Sequence, residues 1–409
     1  MQAGWLPGTH GLEEKLELAQ SLWENALIAK ALRERILELR YPERRILADE
    51  DREILNLWRS FANAEDGSRF LVGISLGLKP FLKELFSDYL ELSDDLNDSP
   101  TVRILGHALE DFKVQACRAS ALLSVPQLRN DKWVTEVCAN LHGQNKHEWL
   151  SQSSPSSVEF DWKKTGGKAF SIARKAARDP RFPKPLFAWP DRHTPARGAG
   201  EGLELQVRSA VHHLNEIWAT EMAAAVIYDL LDEAPYEFLE DSARWCFDES
   251  RHCRMGYTRL REFGFNPTDI PVDTFSYDVG DQLDAVGRLG IIFYFETTYI
   301  HTKSERTKIF ANYGDAVSSH DMDYDWADEL IHTYYGNKWL KFFLEKEQNS
   351  RTPKQIKESA ESAVRTIRST ATEKDYMETE RYYNKILDKA RKFARTGHSL
   401  CAAEDHRHE

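Results

Sequence analysis

The sequence contains few cysteines, and no two of them are close together. Its 409 residues include five, an odd number, at positions 117, 138, 246, 253 and 401. Thiols this sparse indicate reduced cysteines in a cytosol-like compartment rather than a disulfide framework. They also provide no cysteine cluster for zinc or an iron–sulfur centre.

Long apolar runs and an excess of basic residues are absent as well. No run of about 18 apolar residues occurs, so we expect no transmembrane helix and no membrane partner. The first ten residues lack a basic segment followed by an apolar one, so we expect no signal peptide and a cytoplasmic location. The formal net charge is −12, which argues against a nucleic-acid partner, because phosphate contacts need a basic face.

Most of the sequence shows helical periodicity, with apolar residues three and four apart. A composition of 41% apolar and 29% charged residues is ordinary for a globular protein. We therefore predict an all-α protein in five parts: an N-terminal helical module (1–150), a Pro/Gly-rich connecting arm (151–202), a four-helix bundle (203–348), a C-terminal helix with a candidate break near 370–374 (349–395), and a flexible tail (396–409).

The connecting arm is locally basic between residues 163 and 184. Two interpretations stand for this charge. It could belong to a solvated segment lying on an acidic body, or it could bind an anionic substrate or RNA. The absence of regularly interleaved aromatic residues favours the first.

The bundle segment carries a repeated pattern of acidic residues and histidines. Glu216 is followed 33 residues later by Glu249-Ser-Arg-His252, and Glu296 is followed 33 residues later by Glu329-Leu-Ile-His332. Positions i and i+3 share a helix face, so each Glu-x-x-His pair can bind one ion. A single Glu-x-x-His is weak evidence for a metal site, because about one is expected by chance in a chain of this length and composition. Two of them at the same spacing predict a di-metal centre in a four-helix bundle.

Carboxylate and imidazole ligands suit Fe(II) or Mn(II), so we expect two iron ions, with a manganese–iron pair as the alternative. The four glutamates and two divalent ions would give nearly zero net charge, which a buried site tolerates. The bundle helices are expected over 203–232, 236–263, 281–312 and 322–347. Side chains expected beside the site are His213, Thr220, Glu221, Phe293 and Asp325.

Each of these neighbours has an alternative role. His213 could be a core histidine, and Thr220 could simply allow close helix packing. Glu221 points about 140° away from Glu216, by the helical step of about 100° per residue. Asp325 could bond a ligating imidazole or lie on the surface. Glu305 is expected to be solvated, in a charged helix tip with Lys303, Arg306 and Lys308.

Residues 179–340 resemble the ferritin-like superfamily, closest to a poorly characterised bacterial branch with a Pro/Arg-rich segment before its first bundle helix. The resemblance lies in that segment (179–197), in Asp248-Glu249-Ser-Arg-His252 and in Asp328-Glu329-Leu-Ile-His332. The first-helix match is looser, which leaves Glu216 and Glu221 as alternative ligands. The resemblance implies a two-metal site, usually iron, and O₂-dependent chemistry.

The leading functional hypothesis is a di-iron oxygenase or oxidase. It would act on a small organic substrate with O₂ and an external reductant, and the four glutamates 216, 249, 296 and 329 would form its catalytic centre. One alternative is a ferroxidase or iron-handling protein, and another is a metal-free helical scaffold that binds a partner. The oligomeric state is open, with a homodimer as one option.

Overall fold

The computed structural model describes residues 1–40, 58, 60–122, 131–142, 169–281, 283–346 and 351–395. Within these ranges the chain forms helices joined by turns, without a β-strand, so the predicted all-α class is confirmed. None of the described helices is long and apolar enough to cross a membrane. The expected tail at 396–409 lies outside the described residues.

The chain divides into two compact units, residues 1–173 and 174–409. In the first unit, the carboxylate of buried Glu17 pairs with Arg118 at 2.7 Å, and this ion pair connects two long helices. The α-helices described in this unit are α1 (Gln2–Trp5), α2 (Leu12–Glu38), α3 (Gly67–Gly73), α4 (Lys79–Leu92), α5 (Ser99–Leu122) and α6 (Lys132–His142).

In the second unit, helices occupy each of the four segments that the sequence predicts to form a bundle. Its described α-helices are α7 (Pro190–His193), α8 (Gly202–Asn215), α9 (Ile217–Leu230), α10 (Tyr236–Glu262), α11 (Phe275–Asp278), α12 (Ala285–Asn312), α13 (Ala316–Lys346), α14 (Pro353–Thr370) and α15 (Glu373–Ala394).

The first bundle segment, predicted as one helix over 203–232, is interrupted at Glu216. This residue has φ −67° and ψ −2°, between α8 and α9. Its N–H points at the carbonyl oxygens of His212 (3.1 Å) and His213 (3.0 Å), which tightens the turn locally. Apolar periodicity continues through the interruption, so spacing along the chain does not predict it.

The directions of the four segments follow from their contacts. Cys246 and Cys253 of α10 donate to the carbonyls of Thr220 and Leu214, so α10 runs antiparallel to α8 and α9. The contacts of Gly202 with Tyr313 and of Trp218 with Phe295 make α12 antiparallel to them too. Therefore α10 and α12 are parallel, and the described residues between them, 263–281 and 283–284, belong to a long crossover connection.

Close helix approach depends on a glycine in α10. A Cβ on Gly256 would lie 2.3 Å from the backbone nitrogen of Leu214 and 2.4 Å from the carbonyl oxygen of Ala210. Only a residue without a side chain fits there. The contact holds α10 against α8 beside the predicted ligand His252.

The second half of the predicted connecting arm is part of the bundle unit. Arg174 pairs with Asp229 at 2.7 Å, and the N–H of Val272 donates to the carbonyl of Pro183. Charge therefore holds this segment against acidic groups of the bundle, which agrees with the first interpretation of its basic residues. Residues 151–168, with the rest of the basic stretch, lie outside the described part.

The C-terminal segment is two helices rather than one. The hydroxyl oxygen of Thr372 accepts from the backbone N–H of Asp375, forming a capping box that starts α15. The interruption falls within the predicted 370–374. Upstream of it, α14 packs on α12, where Lys357 donates to Thr297 at 3.0 Å.

Candidate metal centre

All six predicted ligands lie together inside the second unit. Glu249, His252, Glu296, Glu329 and His332 are at most 6% exposed. The sixth, Glu216, has a side chain that is 20% exposed. Their oxygen and nitrogen atoms form overlapping groups. Within each group, the candidate ligand atoms lie within 4.8 Å of one another.

One half of the cluster surrounds His252. Its Nδ1 lies 3.3 Å from Oε2 of Glu216, 3.4 Å from Oδ1 of Asp325 and 3.7 Å from Oε2 of Glu249. These atoms come from three different bundle segments. They surround a small volume that a single cation could occupy.

The other half surrounds His332. Its Nδ1 lies 3.1 Å from Oε1 of Glu249 and 3.7 Å from Oε1 of Glu296. The indole N–H of Trp245 lies 3.2 Å from both of these oxygens, and its ring stacks on the His332 imidazole. The two oxygens of Glu249 thus face different imidazoles, so this carboxylate connects the two halves of the cluster.

The outward-facing nitrogens of the two imidazoles contact aspartates in a crossed arrangement. His252 Nε2 lies 3.1 Å from Asp328 on α13, and His332 Nε2 lies 3.4 Å from Asp248 on α10. Arg251 pairs with both aspartates, at 2.7 and 2.9 Å. Each aspartate can hold the N–H of an imidazole, leaving Nδ1 free to bind a metal.

The two aspartates that contact the imidazoles are not among the site residues predicted from the sequence. The signal was present, because each Glu-x-x-His is preceded directly by an aspartate, at 248 and at 328.

The expectation of a solvated tip was wrong for Lys303. This lysine is 8% exposed, and its ammonium group contacts Asp325 at 2.6 Å and also Glu329. It lies seven residues after Glu296, about two helical turns, which places it on the same face of α12. That spacing could have identified it.

Two of the five predicted neighbours line the cavity at the cluster. Asp325 contacts His252 as described, and its other oxygen lies 3.1 Å from Nε2 of His213. Asp325 therefore stands among the ligand atoms, closer to the centre than the supporting position expected for it.

The other three neighbours lie elsewhere. Glu221 is fully buried, and Arg178 holds it at 2.6 Å, so it is not among the grouped ligand atoms. Thr220 lies against the backbone carbonyl of Glu216 at 3.5 Å and does not line the cavity. Phe293 covers Gly336 of α13, where a Cβ would approach it to 2.5 Å, and Phe295 lines the cavity instead.

Electrostatics make the cluster costly without cations. Burial raises the pKa of Glu296 to about 7, with a further contribution from Glu249. Burial disfavours the charged form of His252, but Asp325 and the other carboxylates outweigh it and raise its pKa well above the ordinary value. Without metal, His252 and Glu296 therefore retain protons that a bound cation would have to displace.

The residues fit a pair of divalent cations. Among the described residues, four buried atoms of the cluster have no hydrogen-bond partner: Glu216 Oε2, His252 Nδ1, Glu329 Oε2 and His332 Nδ1. The five carboxylates and one ammonium leave four negative charges, which two divalent ions would balance. The structure adds Asp325 and Lys303 to the predicted set, and their charges cancel.

A cavity of about 260 Å³ adjoins the cluster. Glu216, Glu249, Glu296 and Glu329 reach its wall, and Trp218, Phe295, Ile300 and Met322 supply an apolar lining. Its volume is just under the roughly 300–1,000 Å³ usual for ligand pockets. A small molecule could therefore approach the carboxylates from this side.

The fold and site define an all-α protein with a buried, repeated carboxylate–histidine cluster. The chain belongs to the family described as "Protein of unknown function (DUF455)", whose model matches residues 138–387, more than half of its 409 residues. No curated protein and no solved structure matches the chain. The matched range contains every residue of the cluster.

Proposed function

We propose that the protein is an O₂-dependent oxidoreductase with a di-iron or manganese–iron centre in a ferritin-like four-helix bundle. The observation that carries the proposal is the pair of buried imidazoles, each with Nδ1 unpartnered and facing carboxylates, and with Nε2 beside an aspartate. Buried imidazole nitrogens that lie 3.1–3.3 Å from carboxylate oxygens and yet make no hydrogen bond are rare in ion pairs with a purely structural role.

The helix topology supports the bundle assignment. Parallel α10 and α12, joined by one long crossover, match the connectivity of ferritin-like bundles. The ligand pattern, one Glu from each of two helices and a Glu-x-x-His from each of the others, also matches.

Each part of the centre has a definable role. Glu216, Glu249 and His252 would hold one ion, and Glu296, Glu329 and His332 the other, with Glu249 between them. When bound, the ions supply the electrons that activate O₂. Adding one oxygen atom to a C–H bond releases the other as water and takes two electrons and two protons from an external reductant.

Side chains of this chain control access and protons. Trp218 and Phe295 present apolar surface at the cavity wall, which limits water beside the carboxylates. Lys303 contacts Asp325 and Glu329 and is the one ammonium group touching the cluster among the described residues. It can hydrogen-bond an oxygen atom that approaches from the cavity.

The cavity favours an organic substrate over iron handling alone. A ferroxidase needs only a path for hydrated iron, whereas this cavity has an apolar wall suited to a carbon skeleton. We expect gel filtration to show a particle far smaller than a storage cage. A particle of cage size would support iron storage instead.

Metal analysis tests the proposal. After anaerobic loading with Fe(II) and desalting, we expect close to two iron ions per wild-type chain and a clear loss in Glu249→Gln. Glu305→Gln is the matched control, since Glu305 is exposed on α12. Less than about half an ion per wild-type chain would contradict the proposal. Equal melting temperatures of wild type and Glu249→Gln, with and without Fe(II), would favour a metal-free scaffold.

A further inference from the structure

The cavity has a second polar region in addition to the carboxylate cluster. Arg192, Arg208, Arg306 and Arg368 line this part of its wall. On α8, Arg208 lies eight residues before Glu216, and on α12, Arg306 lies ten residues after Glu296. At 1.5 Å per residue, these steps separate the backbone positions of the arginines and the glutamates by about 12 and 15 Å along each helix axis.

Both arginines lie at the same end because α8 and α12 are antiparallel. The cavity therefore has a carboxylate-rich end and a guanidinium-rich end, with Trp218, Phe295 and Ile300 among the apolar residues of the wall.

Arg208 is a built part of this second end. Its side chain is 8% exposed, and its Nε and Nη2 bond Asp191 at 2.7 and 2.5 Å. Its Nη1 is buried without a hydrogen-bond partner among the described residues. A buried guanidinium N–H without a partner is costly, and an oxygen acceptor in the cavity would satisfy it.

Arg306 and Arg368 add positive charge that no acid balances directly. Neither has an ion-pair partner within the described parts of the chain. Arg368 donates only to the backbone carbonyl of Arg192. Burial, and next the nearby charge of Arg208, lower the pKa of Arg306, and the opposing effect of the acids Asp191, Asp325 and Glu216 does not outweigh them. An arginine nevertheless remains charged at neutral pH.

We propose that this end of the cavity binds the carboxylate or phosphate group of a small organic anion, with Arg306 and Arg208 as its ligands. Planar guanidinium groups pair with both kinds of anion through two hydrogen bonds. The apolar part of such a molecule would lie along Trp218 and Phe295 and point towards the carboxylate cluster. That this anion is the substrate rests on the proposed function, whereas the binding of the anion does not.

The test uses the full-length, metal-free protein and two probes, benzoate and inorganic phosphate, in isothermal titration calorimetry. We expect wild type to bind at least one probe and Arg306→Gln to bind it at least tenfold more weakly. Arg306→Lys, which keeps the charge, should recover part of the affinity. The control is Arg365→Gln, because Arg365 is exposed on α14 and pairs with Glu361 there. It should bind as wild type does.

Preference for benzoate would assign the site to carboxylates, and preference for phosphate to phosphate esters. Binding of neither probe, or equal binding by wild type and Arg306→Gln, would overturn the proposal. The melting temperature of each variant checks its folding, and Arg306 has no ion pair to lose.

Metal content measured on the same preparations separates the two proposals. Two ions per chain without anion binding would leave the proposed function in place and overturn the anion site. Anion binding by a protein that takes up no metal would do the reverse.

Discussion

Replacing Glu296 with glutamine should stabilise the metal-free protein and weaken its response to metal. Burial, and then Glu249, raise the pKa of Glu296 from 4.5 to about 7. The folded state therefore keeps this proton up to about pH 7, whereas the unfolded chain releases it near pH 4.5. Between pH 4.5 and pH 7, the ionisation of Glu296 therefore lowers the free energy of unfolding by about 3 kcal/mol. The loss persists above pH 7.

Glutamine cannot ionise, and its amide oxygen can still accept from Trp245. The free energy of unfolding of metal-free Glu296→Gln should thus be about 1–3 kcal/mol higher than that of metal-free wild type at pH 8. The difference should vanish towards pH 4.5. We expect manganese to remove or reverse this difference, because free metal at 100 times the dissociation constant of one site would stabilise wild type by about 2.7 kcal/mol. The variant, which lacks one carboxylate ligand, gains less.

Scanning calorimetry of both proteins, with and without Mn(II), measures this reversal. Glu305→Gln on the same helix should match wild type in all four conditions, since Glu305 is exposed. The reasoning is refuted if metal-free Glu296→Gln is less stable than wild type at pH 8 and Mn(II) shifts both equally. Glu296 would then be a structural hydrogen-bond acceptor with no place in a metal site.

Three further predictions concern other parts of the structure. Asp328→Asn removes the charge beside Nε2 of His252, and should weaken Mn(II) binding by about 10–100-fold without changing the number of ions bound, measured by competition with a chelator. Glu221→Gln leaves its buried arginine partner without a counter-charge, and should lower the free energy of unfolding by about 3–5 kcal/mol while metal per folded chain stays constant. Lys79→Met removes a buried ammonium group that has no hydrogen-bond partner among the described residues, and should raise the free energy of unfolding at pH 7 by about 1–3 kcal/mol. Burial lowers the pKa of Lys79 to about 8 from 10.5, so urea titrations should show that gain shrinking as pH rises from 8 to 10.5.

The sequence predicted the helical class and the convergence of six ligands, because both depend on spacing along helices. Glu249 and His252 lie three residues apart, so any helix there puts them on one face. The same rule would have found Lys303, seven residues after Glu296, if its charge had not suggested a solvated tip. Helix periodicity indicates which residues share a face. It does not indicate how far along the helix that face stays buried.

Features that depend on contacts between segments could not be read from spacing. The choice between Glu216 and Glu221 follows from Arg178, which binds Glu221 from a segment more than 40 residues earlier in the chain. The interruption at Glu216 is likewise a local change in backbone conformation, and the apolar pattern continues through it. Phe293 and Phe295 differ by two positions, about 200° around the helix, and only the partner helix decides which of them meets Gly336.

The crossed contacts between imidazoles and aspartates connect the register of two helices to the chemistry of the centre. Asp328 on α13 lies beside His252 on α10, while Asp248 on α10 lies beside His332 on α13. A shift of either helix along its axis would break both contacts at once. Because Arg244 and Arg251 balance the two aspartates, the outer layer contributes no net charge to the inner one. The inner carboxylates must then be neutralised by Lys303 and by cations or protons, so the same helix register that places the imidazoles also leaves a net negative charge at the inner cluster.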